Sequence, residues 1–130
     1  MTYCSVLFDL DGTLLDTLDD LADSMNNSLA ARNLPTHPTE AYKIFVGDGV
    51  EMLVRRALGE GCDDELTAVL LEDMKGQYAK RWDNKTKPYD GICEMLTLLS
   101  QKSLKLVVLS NKPDNFTKLC VERFLGDFKF

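Results

Sequence analysis

Asp9 and Asp11 stand two residues apart at the end of the apolar run Cys4-Ser5-Val6-Leu7-Phe8-Asp9-Leu10, and Gly12-Thr13 follow them. In an extended segment, residues two apart point the same way. Both carboxylates are therefore expected to face one cleft. Two such groups repel each other, and a hard divalent cation relieves the repulsion. Mg2+ takes a few carboxylates and fills its other positions with water and phosphate oxygens. Gly12 lets the chain bend and is expected to turn its N–H towards an anion. An N-cap cluster is the structural alternative. A helix-loop-helix calcium site fits badly, because aligning Asp9, Asp11 and Gly12 to its third, fifth and sixth positions puts Leu7 at the first and Leu18 at the last. A second pair, Ser110-Asn111, ends the apolar run Leu104-Lys105-Leu106-Val107-Val108-Leu109. A hydroxyl and a main-chain N–H ahead of a helix make an anion site, with simple helix capping as the alternative.

The elements that must position these groups can be read from periodicity. Cys4 to Leu10 reads as a buried parallel strand ending at Asp9, where open α/β sheets bind their ligands. Asp16 to Arg32 reads as a helix with Leu18, Leu21, Met25 and Leu29 on one face, Asp19, Asp20 and Asp23 in its early turns, and a stop at Leu34-Pro35. A short helix is expected over His37 to Phe45, then a flexible turn at Val46-Gly47-Asp48-Gly49-Val50. Helices follow over Glu51 to Leu58 and Asp63 to Trp82. The second of these should bury Leu66, Val69, Leu70, Met74, Tyr78 and Trp82. Lys85 to Gly91 reads as a polar linker. Ile92 to Gln101 is a helix with Ile92, Met95, Leu96 and Leu99 on one side, Leu104 to Leu109 a strand, and Asp114 to Leu125 a helix. Two strands joined through a helix suggest a parallel crossover. The expected architecture is an incomplete doubly wound, Rossmann-like α/β sheet with a helical insertion after its first strand. A third strand is expected to begin near Gly126 to Phe130. The division expected is residues 1–15 with 83–130 as partial core and residues 16–82 as helical insertion.

Asp-x-Asp-Gly-Thr after an apolar strand resembles the first motif of the haloacid-dehalogenase superfamily, and Asn111-Lys112-Pro113 resembles the corresponding turn of its phosphoglycolate phosphatases. The resemblance implies that Asp9 attacks phosphorus and forms an aspartyl phosphate, and that Asp11 protonates the leaving alkoxide and then helps deprotonate water. It implies Mg2+ on the Asp9 carboxylate and the Asp11 carbonyl, and phosphoryl binding by Ser110 with the Asn111 amide. It implies that the helical insertion is a cap that closes over the site and selects substrate, with Gly47, Asp48 and Gly49 in a specificity loop. Asp16 has a helix-start role or contacts the site. The substrate implied is a small phosphorylated metabolite resembling phosphoglycolate. The family also uses a Lys or Arg after a third strand and acids after a fourth. These 130 residues hold neither, so weak metal binding, a raised carboxylate pKa and slow turnover are expected of them alone. A catalytically inactive remnant that binds phosphate or protein is the alternative. A response-regulator receiver fits poorly, since its phosphorylated Asp follows a later strand.

Composition narrows the partners. The net charge of -6 repels nucleic acid and anionic membrane. No apolar run reaches the roughly 20 residues of a membrane span, and the N-terminus lacks the pattern of a signal peptide. Cys4, Cys62, Cys93 and Cys120 include no CxxC pair, so reduced, mostly buried thiols in a cytoplasmic protein are expected. Lys43, Arg55 and Arg56 are cations near the Gly47 loop, more naturally part of a solvated helix face. His37 reads as a surface-loop residue. The unpaired sheet edge invites self-association.

Overall fold

The computed structural model describes residues 2–130, and the chain divides into two compact units. The first comprises the chain up to Asp16 together with Lys87–Phe130, and the second comprises Thr17–Thr86.

In the first unit, strand β1 (Ser5–Phe8) pairs in parallel with β4 (Lys105–Val108), Ser5 opposite Lys105 and Phe8 opposite Val108. Both strands are shorter than their apolar runs, because the chain turns out of the ladder at Asp9 and Leu109. The ladder closes with Leu109 N–H donating to Phe8 O at 2.8 Å. Helices α5 (Ile92–Ser100) and α6 (Asp114–Leu125) flank β4 in sequence. The core of this unit is Leu10, Leu14, Leu15, Leu96, Leu106, Cys120 and Leu125. Strand β1 is not the buried strand expected, since none of its four residues is buried. Leu7 is 60% exposed and its register partner Val107 41%, so side-chain alternation leaves one face of the two-stranded sheet open. Gly126 to Phe130 carries no strand.

A second, two-residue ladder escapes sequence reading altogether. Strand β2 (Leu15–Asp16) pairs antiparallel with β3 (Lys87–Pro88), placing Asp16 opposite Lys87 and Leu15 opposite Pro88. Two residues carry no periodicity, and Pro88 argues against a strand unless it lies at an edge. From Lys87 on, the stretch read as a linker is thus tied into the sheet unit, and the two compact units meet between Asp16 and Thr17 and between Thr86 and Lys87.

The second unit is helical: α1 (Leu18–Ala31), a 3-10 turn (Thr39–Ala41) running into α2 (Tyr42–Phe45), α3 (Val50–Leu58) and α4 (Asp64–Ala79). Helix α1 ends where Asn33 adopts φ +56 and Leu34 N–H returns to Leu29 O at 3.0 Å, a left-handed cap that asparagine tolerates. Asp63 caps α4, its Oδ1 accepting from Glu65 N–H at 2.7 Å. The core is built from Leu21, Met25, Leu29, Tyr42, Leu53, Val54, Leu70, Met74 and Tyr78. The buried face of α4 is Thr67, Leu70, Met74 and Tyr78, while Val69 is exposed. Helical spacing from Leu70 and Met74 selects Thr67, whose hydroxyl is satisfied by Asp63 O at 2.8 Å.

Asp20, read as one of several dipole-facing acids, is instead 1% exposed. Its carboxylate accepts from Lys85 N–H at 3.0 Å, Thr86 N–H at 2.9 Å and the Thr86 hydroxyl at 2.7 Å. It ties the residues where the chain leaves the helical unit to the first turn of α1. His37 is also not a free surface residue. Its Nε2 donates to Ala57 O at 2.7 Å, Asn26 and His37 exchange two hydrogen bonds through the His37 main chain, and its ring packs edge-on against Tyr42 and Phe45. The cysteines are not mostly buried as expected: only Cys120 is buried, and Cys4 and Cys93 are exposed.

Candidate active site

The loop after β1 is built around one carbonyl. Leu10 O accepts from the N–H groups of Thr13, Leu14 and Leu15 at 3.2, 3.0 and 3.0 Å. Leu10, Leu14 and Leu15 are fully buried beneath it. The turn requires φ +77 at Gly12, a conformation that side-chain-bearing residues enter at a cost. The glycine's own N–H donates to Leu15 O at 2.9 Å. Its contribution is therefore the turn, and the expected N–H directed at an anion is already committed. With the leucines anchored, Asp9 and Asp11 are left on the polar side of the loop.

Asp9 follows the last residue of β1 and is exposed, its Oδ1 accepting from Leu10 N–H at 2.8 Å. Asp11 is largely enclosed, with its side chain 14% exposed. Its Oδ1 accepts from Lys112 Nζ at 2.9 Å. The two acids are thus not left without a cation. Lys112 comes from the loop after β4, 101 residues away in sequence.

That loop carries Ser110. Its Oγ accepts from Lys112 N–H at 3.1 Å, which leaves the hydroxyl proton to donate outward. Asn111 beside it is exposed. Because Phe8 and Val108 are register partners, Asp9 and the Leu109-Ser110 step leave the sheet at the same end. The parallel ladder and the Lys112–Asp11 contact together bring Asp9, Asp11 and Ser110 into one region. Sequence reading marked Lys112 as part of the turn after Ser110 but did not foresee its contact. The available signal was a lysine two residues beyond a strand-terminal hydroxyl.

A metal fits this donor set in kind. The Asp9 carboxylate and the Asp11 main-chain carbonyl are hard oxygens of the type Mg2+ prefers, alongside water and phosphate. No group of three His, Cys, Asp or Glu side chains converges among the described residues.

The residues of the Gly47 loop belong to the helical unit. Gly47 and Gly49 have φ of +127 and +90. Asp48 between them pairs with Arg56 Nη2, and Arg56 Nη1 also donates to Phe45 O at 3.1 Å. The other nearby cations are engaged as well. Arg55 lies 3.0 Å from Glu51 and 2.9 Å from Asp64, and Lys43 lies 2.7 Å from Glu40. Carboxylate neighbours raise the Arg55 guanidinium above its ordinary range, chiefly through its hydrogen bond to Asp64. These are helix-face ion pairs. Among the described residues, no helix is long and apolar enough to cross a membrane.

Residues 6–129 match the family model described as Haloacid dehalogenase-like hydrolase. The chain is 36% identical over 130 residues to a phosphoglycolate phosphatase of Mannheimia succiniciproducens, covering 95% of this chain and 58% of that protein. It is 38% identical over 129 residues to the phosphoglycolate phosphatase of Pseudomonas savastanoi pv. phaseolicola, covering 95% and 47%. The crystal structure of a candidate phosphoglycolate phosphatase from Lactobacillus delbrueckii subsp. bulgaricus superposes with a TM-score of 0.92 at 32% identity, over 100% of this chain and 64% of that one. The chain spans about half the length of the curated relatives it matches.

Proposed function

Because this chain belongs to the haloacid dehalogenase-like hydrolases, we propose that it carries the nucleophile half of a Mg2+-dependent phosphomonoesterase acting on a small phosphorylated metabolite such as phosphoglycolate. Asp9 Oδ attacks phosphorus, the bond from phosphorus to the ester oxygen breaks, and Asp11 gives its proton to the departing alkoxide. Water then attacks the aspartyl phosphate while Asp11 takes up its proton, which returns free Asp9 and releases inorganic phosphate. A carboxylate nucleophile divides one difficult hydrolysis into two easier displacements. Ser110 donates its hydroxyl proton to a phosphoryl oxygen, assisted by the Asn111 amide, and Gly12 shapes the turn. Mg2+ held by the Asp9 carboxylate and the Asp11 carbonyl would offset negative charge on the transferring group. Residues 17–86 serve as the cap, with Gly47, Asp48 and Gly49 in its specificity loop.

The supporting observation is the long-range contact from the Ser110 loop to Asp11, Lys112 Nζ to Asp11 Oδ1 at 2.9 Å, at the shared end of two parallel strands. With no third metal-binding side chain beside Asp9 and Asp11 among the described residues, these 130 residues should hold Mg2+ weakly and turn over slowly. The test is hydrolysis of 4-nitrophenyl phosphate and phosphoglycolate in the presence of Mg2+. We expect slow, EDTA-sensitive release of phosphate that Asp9→Asn abolishes. Release that survives in Asp9→Asn would exclude the scheme.

A further inference from the structure

Lys112 touches both halves of the site. Its main-chain N–H donates to Ser110 Oγ at 3.1 Å, and its Nζ donates to Asp11 Oδ1 at 2.9 Å. Its main-chain carbonyl accepts from the Thr117 hydroxyl at 3.3 Å. Pro113, next in sequence, restricts the Lys112 backbone towards extended conformations. The residue is therefore held along its backbone while its side chain reaches across to the loop after β1.

Enclosure sets this pair apart from the other ion pairs among the described residues. The Lys112 side chain is 3% exposed and that of Asp11 14%, whereas Lys118 and Asp114, an ordinary helix pair, are 76% and 79% exposed. Exposed pairs hold geometry weakly, because water competes and two long side chains must be ordered. A charge-assisted hydrogen bond shielded from water is shorter, stronger and more directional. Burying a lysine side chain is costly, and nothing about solubility requires it.

We propose that Lys112 is a positioning residue for the acid of the reaction: it holds the Asp11 carboxyl group in the orientation that serves the leaving-group oxygen and sets its place relative to the Ser110 hydroxyl. This rests on the hydrolase scheme above. Lys112 acts through Asp11, so its importance follows the leaving group's need for a proton. An alkoxide needs one and a nitrophenolate scarcely does. The ratio kcat/KM covers steps only up to departure of the leaving group, so it isolates this effect from the later hydrolysis of the aspartyl phosphate.

The experiment compares kcat/KM for phosphoglycolate and for 4-nitrophenyl phosphate in the parent chain, Lys112→Met, Lys112→Arg, Asp11→Asn and the Asp11→Asn/Lys112→Met pair. All rates are normalised to folded protein by circular dichroism. Lys112→Met is expected to lose about tenfold or more on phosphoglycolate, a part of the roughly 100- to 10,000-fold that a placed general acid contributes, and no more than about threefold on the aryl ester. Lys112→Arg should recover part of the loss, and the double variant should be no worse than Asp11→Asn alone. Equal losses on both substrates would instead make Lys112 a phosphoryl ligand or a purely structural residue, and would overturn the inference while leaving the hydrolase scheme standing. Should Lys112→Met not fold, the same substrate selectivity in Lys112→Arg decides the matter. Turnover that persists in an Asp9→Asn control overturns both.

Discussion

Replacing Asp20 with alanine should destabilise the helical unit far more than replacing any exposed acid. The carboxylate is buried and accepts three kinds of donor: the N–H groups of Lys85 and Thr86 and the Thr86 hydroxyl. Lys85 is exposed, so water can take over much of its N–H. Thr86 is 6% exposed, and its N–H would be left without an acceptor. A buried polar group stripped of its partner costs about 1–3 kcal/mol, and bonds to a charged acceptor lie at the upper end. Adding the loss of the hydroxyl's partner gives about 3 kcal/mol. With a urea m-value of about 2 kcal/mol/M for a chain of this size, the midpoint should fall by about 1.5 M. Trp82, the only tryptophan, lies three residues before Lys85 and reports the transition by fluorescence. Asp73→Ala is the control. It removes an ion pair with Arg32 at 2.6 Å in which both side chains are more than a third exposed, and its midpoint should scarcely move. Equal shifts for Asp20→Ala and Asp73→Ala would refute the assignment of Asp20 as the clasp between α1 and residues 85–86.

Other outcomes follow from the same physics. Burial pushes the Tyr42 phenol up to about 12. The unfolded chain therefore ionises this group first above pH 10, and the contribution of Tyr42 to stability should be constant below pH 10 and fall by about 2 kcal/mol as pH rises through 12. Tyr42→Phe should cost about 1 kcal/mol at neutral pH, through loss of the 2.6 Å bond to Asn26 Oδ1, and should flatten that alkaline decline in denaturant titrations. Gly12→Ala meets no atom within 4 Å, so its cost should be backbone strain alone, about 1–2 kcal/mol by thermal unfolding. Arg56→Ala frees Asp48 and the carbonyls of Ile44 and Phe45, and hydrogen exchange at Gly47 to Gly49 should quicken while the core of α4 stays protected.

Much of the fold was legible because its signals are long or chemically specific. The five longer helices and both core strands follow from apolar spacing, and α6 begins and ends where its pattern does. The acids of the first loop were legible because carboxylates beside glycine after an apolar strand have few structural uses. What escaped depends on partners remote in sequence. The β2–β3 ladder joins residues 15–16 to 87–88, and two-residue strands have no period to detect. Asp20 resembles its neighbours Asp19 and Asp23 in sequence and differs only in facing residues 85–86. Exposure of Leu7 and Val107 escaped because an apolar run reads alike whether one face of its sheet is covered or two. The Lys112–Asp11 pair spans 101 residues, and local pattern offers no rule for it.

Where the phosphoryl group goes is tested most directly by covalent trapping. The chain is incubated with Mg2+ and phosphoglycolate, quenched in acid and mapped by peptide mass. The predicted result is a hydroxylamine-labile phosphoryl adduct on the peptide bearing Asp9, lost with EDTA and lost in Asp9→Asn. An adduct on any other residue, or phosphate release with none on Asp9, would contradict it.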